Sequence, residues 1–159
     1  MLKGWRQRAS TPMRRIAAIG KLAEAGIPVG VMVSPVIPGL TDHEMEKILG
    51  AAYAAGARSA GYIMLRLPIE VKDLFRDWLA EAEPNRAKRV MDHIQAMRGG
   101  KDYDATFGTR MRGEGPYADL IATRFQKAAA RLGFNQTRMA LDISQFHPPV
   151  HSGGQMSLF

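Results

Sequence analysis

Apolar positions along the chain follow two periods in alternation. Residues 1–10 show neither. Thr11 then stands as a helix N-cap with Pro12 at the first helical position, and Ile16, Ile19, Leu22 and Ala23 recur on one face. Gly26 is the natural stop. The run Ile27-Pro28-Val29-Gly30-Val31-Met32-Val33 is apolar throughout and rich in β-branched residues. It reads as a parallel strand covered on both faces, with Pro28 tolerable only near its start.

A loop over residues 34–40 leads into Thr41-Asp42-His43-Glu44, which spells a capping box. Met45, Ile48, Leu49 and Ala52 carry a helix to Gly56, and a second strand is expected from Ser59 to about Leu65. Beyond Arg66-Leu67-Pro68, Leu74, Phe75, Trp78 and Leu79 mark a third helix. Pro84 opens a fourth, with Val90, Met91, Ile94 and Met97 inward and Gly99-Gly100 at its end. After a polar loop over 101–116, a last helix runs from about Tyr117 to Leu132. Its core candidates are Leu120, Ile121, Phe125 and Leu132, and Gly133 ends it.

Helix–strand alternation implies right-handed crossovers and a parallel sheet, hence an α/β fold. Two parallel strands alone make a poor independent sheet, because such strands expect helices on both faces and neighbours on both edges. The pattern therefore predicts the end of a larger α/β protein or one half of an assembly.

Composition narrows the chemistry. With 46% apolar residues in 159, a packed core is expected. The absence of cysteine excludes disulfides, thiolate zinc sites, a cysteine nucleophile and any iron–sulfur cluster held by this chain's own thiolates. No apolar run reaches the roughly 18 residues needed to span a bilayer. The basic first ten residues lack the apolar stretch of a secretory signal, so a cytoplasmic location with no membrane partner is expected. The net charge of +7 is concentrated, since residues 86–138 hold eleven Lys/Arg against five Asp/Glu. Such an excess suits phosphate-bearing partners such as DNA; the alternative is a solvated helix surface.

Three stretches carry a resemblance: residues 25–40, Ala60-Gly61-Tyr62 leading into Leu65-Arg66-Leu67-Pro68, and residues 107–117. From about Thr11 to Phe159 the chain resembles the C-terminal portion of a bacterial radical S-adenosylmethionine (SAM) family related to spore photoproduct lyase and the "DNA repair photolyases". The resemblance implies a partial (β/α)6 barrel, a 4Fe-4S cluster on a CxxxCxxC motif, and reductive cleavage of SAM to a 5′-deoxyadenosyl radical. The two strands would be the fifth and sixth of that barrel. The cluster motif would lie in a preceding half that this sequence does not contain, so neither cofactor would be held by this chain alone. Residues 1–82 would form the C-terminal half of the barrel, 83–134 a basic helical extension and 135–159 a flexible tail.

The family's fifth-strand motif, GxIxGxxE, is matched by residues 35–42 with Pro35 for the first glycine and Asp42 for the glutamate. By that resemblance Ile37 would contact adenine, Gly39 would let the backbone approach, Asp42 would take the acidic position, and Leu67 would be a second adenine contact. A loop at the C-terminal end of a parallel strand is where α/β folds bind ligands. The alternative is an ordinary strand-to-helix loop stiffened by prolines and capped by Thr41.

Arg110, Arg112, Gly113 and Gly115 precede a helix with Pro116 at its first position. Two guanidinium groups, glycine backbone and a helix N-terminus together favour an anion, either a DNA phosphate or a carboxylate. The alternative is that both arginines pair with Asp102, Asp104 or Glu114 and merely pin the loop. At the C-terminus, Gln155, Met156, Leu158 and Phe159 resemble the Gln-Leu-[Ser/Asp]-Leu-Phe peptide that docks bacterial replication and repair proteins on the DNA polymerase sliding clamp. A Gly-rich spacer gives that peptide reach; an apolar tail folding back on the domain is the other reading. The four histidines form no metal-binding spacing, and no catalytic triad or carboxylate pair stands out.

Overall fold

The structure, a computed structural model, describes residues 10–137 and 143–146. Helix α1 (Pro12–Glu24) is followed by strand β1 (Gly30–Val36), a 3₁₀ turn (Asp42–Glu44), α2 (Met45–Ala54), β2 (Ser59–Met64), α3 (Val71–Ala82), α4 (Pro84–Ala96) and α5 (Pro116–Leu132). The expected starts of α1 and α5 hold. Thr11 Oγ1 accepts the Arg14 amide at the head of α1, and proline opens each of the two helices. The strand begins three residues later than Ile27 and runs through the predicted loop to Val36.

The strands pair in parallel, with Gly30 opposite Ser59 and Val33 opposite Tyr62. An irregularity between Val33 and Val36 brings Val36 opposite Met64, so Val33 and Val36 both point inward. On that face Val33, Val36, Tyr62 and Met64 pack with Leu49 and Ala52 of α2 and Ile121, Phe125 and Ala128 of α5. A second core joins Ile37, Leu40 and Leu67 to Phe75 and Leu79 of α3 and Val90, Met91 and Ile94 of α4. Helices α4 and α5, within the stretch read as a basic helical extension, pack in the two cores with the sheet and the loops leaving it.

The sheet is clad on one side only. The strands were expected to be covered on both faces, yet Met32 is 59% exposed on the face opposite the core. Gly61 lies beside it, where a Cβ would come within 2.9 Å of Met32 Cε, so the methionine lies across the glycine. Leaving a large apolar side chain uncovered forgoes about 1.5–3 kcal/mol of burial.

The two edges also differ. Along the outer edge of β2, the Asn135 side-chain amide donates to Ala60 O and accepts from Ala60 N–H, so one residue does the work of a neighbouring strand. The Met64 amide donates to Met111 O. The outer edge of β1 has no such partner among the described residues.

Some positions on the predicted apolar faces lie outside the core, because helical spacing fixes a face only to within a residue. Leu74 is 57% and Leu120 51% exposed, while their neighbours Phe75 and Ile121 are buried. On α1, Ile16 and Ile19 pack partly against the core, but Leu22 is exposed and no residue of the helix is fully buried. We predict that Ile121→Ala lowers stability by about 2–5 kcal/mol, whereas Leu120→Ala stays within about 0.5 kcal/mol. Urea unfolding of both variants checks the pair.

Candidate functional site

The loop that leaves β1 is built inward. Ile37 and Leu40 are 7% exposed and Leu67, beyond β2, 1%. All three side chains are packed under α3 and α4 in the second core, so Ile37 and Leu67 face the chain's own helices rather than an open adenine pocket. The predicted capping box does not form. Thr41 Oγ1 turns back to accept the Ile37 amide at 2.9 Å and so closes the loop on itself.

What fixes this loop from outside is a set of contacts from α5 and α4 that no local spacing encodes. Tyr117, in the first turn of α5, donates its hydroxyl proton to Asp42 Oδ2 at 2.7 Å and accepts the Gly39 amide at 3.1 Å. Burial, reinforced by the hydrogen bond to Asp42, holds its phenol above the ordinary tyrosine range. His93 of α4 stacks on the same ring, centroids 4.3 Å apart. Arg124, two turns along α5, forms a two-pronged pair with Glu46, Nε to Oε1 and Nη2 to Oε2 both at 2.8 Å. It also donates to Asp42 O at 3.0 Å and lies 3.5 Å from Asp42 Oδ2. The guanidinium holds Glu46 below the usual carboxylate range. Gly39 and Asp42 are joined through Tyr117, and their polar groups are engaged by α5. Asp42 is a positioning residue, since its carboxylate is buried and bound.

The second candidate region lies at the C-terminal end of β2. Residues 106–113 form tight turns, with Arg110 N–H to Thr106 O at 3.0 Å and Gly113 N–H to Thr109 O at 2.7 Å. Arg98, only 4% exposed, donates Nη1 to Thr109 O at 3.2 Å and Nη2 to Leu65 O at 3.1 Å, clamping the loop to the strand end. Burial lowers its guanidinium's proton affinity, an effect partly offset by the Asp104 charge and reinforced by like-charge repulsion from Arg66. Arg66 donates to Tyr103 Oη at 3.0 Å and lies against Met111, while its buried Nε has no partner.

Arg110 lies over the Phe107 ring at 5.3 Å and Arg112 over Tyr62 at 4.9 Å. None of the carboxylates offered as partners takes them. Asp102 is held by Arg76 and Gln95, Asp104 by the amide and hydroxyl of Thr106, and Glu114 forms no ion pair with either arginine. The alternative reading, pinning by ion pairs, does not hold; Arg98 and Met111 pin the loop instead. The glycines act in packing: a Cβ on Gly113 would come within 3.0 Å of Met97 Cβ. Gly115 stands at the N-cap of α5 with a positive φ of 87° that favours glycine. The sequence reading missed Arg66, Arg98 and Phe107. An aromatic residue three positions before an arginine in a polar loop was the available signal for Phe107.

Gln155, Met156, Leu158 and Phe159 lie outside the described residues. Among the described residues no group of three His, Cys, Asp or Glu side chains is placed to hold a metal ion, and no helix is long and apolar enough to cross a membrane.

The Arg76–Asp102 pair gives a test by pH. Its hydrogen bonds hold Asp102 below its ordinary value of 3.8. The stability this contributes is present above that value and is lost as pH falls through the lower folded value. Arg76→Gln is expected to lower the urea midpoint slightly at neutral pH, because the arginine is half exposed. The gap to the native chain should close as the pH falls through the lowered folded value of Asp102. Urea titrations at several pH values measure it.

The chain is 38% identical over 84 residues to an uncharacterized protein of Mycobacterium tuberculosis and, to the same extent, to one of Mycobacterium bovis. The match covers 52% of this chain and 25% of each relative, so it spans about a quarter of their length. No family model matches. No solved structure matches.

Proposed function

We propose that this chain is the C-terminal part of a radical SAM iron–sulfur protein linked to DNA repair, with a cytoplasmic location. It would contribute structure beside the SAM pocket while another segment supplies the cluster. One observation carries the reading: the sheet is finished on one side and unfinished on the other. Asn135 and Met111 seal the β2 edge, as suits the last strand of a barrel. The β1 edge and the face bearing Met32 await a neighbour. The matched stretch amounts to a quarter of each mycobacterial relative, which leaves ample chain to supply one.

The cluster does not fit this chain. Such clusters take thiolate ligands, and the sequence has no cysteine. No step is therefore routed through these residues. The buried side chains of Ile37 and Leu67 also offer adenine no free surface. What the chain brings to SAM is the fixed course of residues 36–42, held by Tyr117, Thr41 and Arg124, and the open face at Met32 and Gly61. Open α/β sheets bind ligands at the C-terminal ends of their strands, and residues 36–42 leave β1 at that end, while the open face lies nearer the N-terminal ends.

Co-expression with the remainder of a mycobacterial relative, followed by anaerobic reconstitution with iron and sulfide, is expected to give a brown complex that binds SAM. The chain alone should take up no iron. A colourless complex that does not bind SAM overturns the reading. Sliding-clamp docking through residues 155–159 is a separate element of the proposal. Deleting Gln155–Phe159 should abolish binding to an immobilised bacterial clamp, and unchanged binding removes that element.

A further inference from the structure

Phe107 is the most exposed of the large apolar residues described, at 87%. It does not sit on a slack segment. The turns of residues 106–113 are closed by their own hydrogen bonds, and the loop is tied to β2 by Met111 O and by the buried Arg98. The chain therefore holds an aromatic ring in water on a firm base, its apolar surface left unburied. Arg110 accompanies the ring at 5.3 Å, Arg112 stands two residues on, and Arg66 lies behind Met111.

Neither these three arginines nor Arg98 has a carboxylate within ion-pair distance among the described residues. In contrast, Arg76, Lys88 and Arg124 are all paired. The surrounding sequence does not neutralise them either, since residues 86–138 carry eleven Lys/Arg against five Asp/Glu.

A rigid exposed ring flanked by unpaired guanidinium groups is what an unstacked base and its phosphates need. The ring offers a π-face to any base, and the arginines neutralise the backbone. An acidic peptide would use the charges but not the ring. A membrane would use the ring but meets a single apolar side chain here. A duplex keeps its bases stacked inside. From these observations we infer that the Phe107–Arg112 loop is a binding platform for single-stranded nucleic acid, with a base stacked on Phe107 and phosphates on Arg110 and Arg112. The platform is independent of the iron–sulfur reading, because it needs neither SAM nor a second segment.

The test uses the full chain without SAM or iron and a fluorescein-labelled oligothymidylate, with binding read by anisotropy. Phe107→Ala is expected to weaken binding about 5- to 150-fold, the range for one lost base stack, and to leave the salt dependence unchanged. Phe107→Tyr should retain the native affinity. Arg110→Gln with Arg112→Gln should reduce the slope of log K against log salt by about 1.4. A duplex of matching length should bind more weakly than the single strand and should not discriminate Phe107→Ala from the native chain.

Native binding of Phe107→Ala to the single strand overturns the inference. So does the absence of oligonucleotide binding by the unaltered chain, or equal loss on single and double strands. Displacement by polyglutamate as effective as by unlabelled oligothymidylate likewise reduces the site to a general polyanion surface and overturns it. Because Phe107 touches no core residue, unchanged circular dichroism and melting of the variant separate a lost contact from a lost fold.

Discussion

The structure depends on a sheet of two parallel strands that is satisfied on one face and one edge. Val33, Val36, Tyr62 and Met64 point into a core built with α2 and α5, and the edge of β2 is closed by an asparagine side chain and a loop carbonyl. These contacts explain why helices far along the chain are inseparable from the strands. Residues of α5 fill the core beneath β2, and the turn after α5 carries Asn135 to the strand edge. On the other side nothing comparable exists among the described residues: Met32 lies across Gly61 in solvent, and β1 has one neighbour. Backbone groups and apolar surface left in that state favour pairing with a further strand.

Two arginines show how the loops around this sheet are held. Arg124 is a charge matched by charge: Glu46 takes its fork and Asp42 its remaining donors, so the loop after β1 is locked to α5. Arg98 is a charge matched by dipoles, two carbonyl oxygens from separate segments, and it locks the loop before α5 to the end of β2. The first arrangement neutralises its surroundings. The second leaves a positive potential next to Arg66, Arg110 and Arg112. The two loops therefore have opposite characters, one closed and apolar, the other firm and cationic with an aromatic ring at its tip.

Much of this was legible in the sequence. Period and punctuation placed all five helices and both strands to within a few residues, because Thr11, Pro12, Pro84, Pro116 and Gly133 act locally on the backbone. The shortage of strands was legible too, from counting apolar runs. What was not legible is long-range. Tyr117 meets Asp42 across 75 positions and Arg124 meets it across 82, and no local spacing encodes such a meeting. Thr41 was misread because a hydroxyl at a helix start has two competing amides within reach, and the one behind it, Ile37, wins. Ile37 and Leu67 were expected at a ligand because a motif places residues on a loop. Which way they face is decided by α3 and α4, whose own apolar stripes need cover.

Among the described residues β1 lacks a neighbour that β2 does not need. Amide hydrogen exchange of the chain, resolved by residue, reads this asymmetry. Exchange should be slow at Ala60 and Met64, whose amides are bonded at the β2 edge, and fast at the amides of Gly30–Val36 that turn away from β2. Equal protection along both edges in a monomeric sample would contradict it.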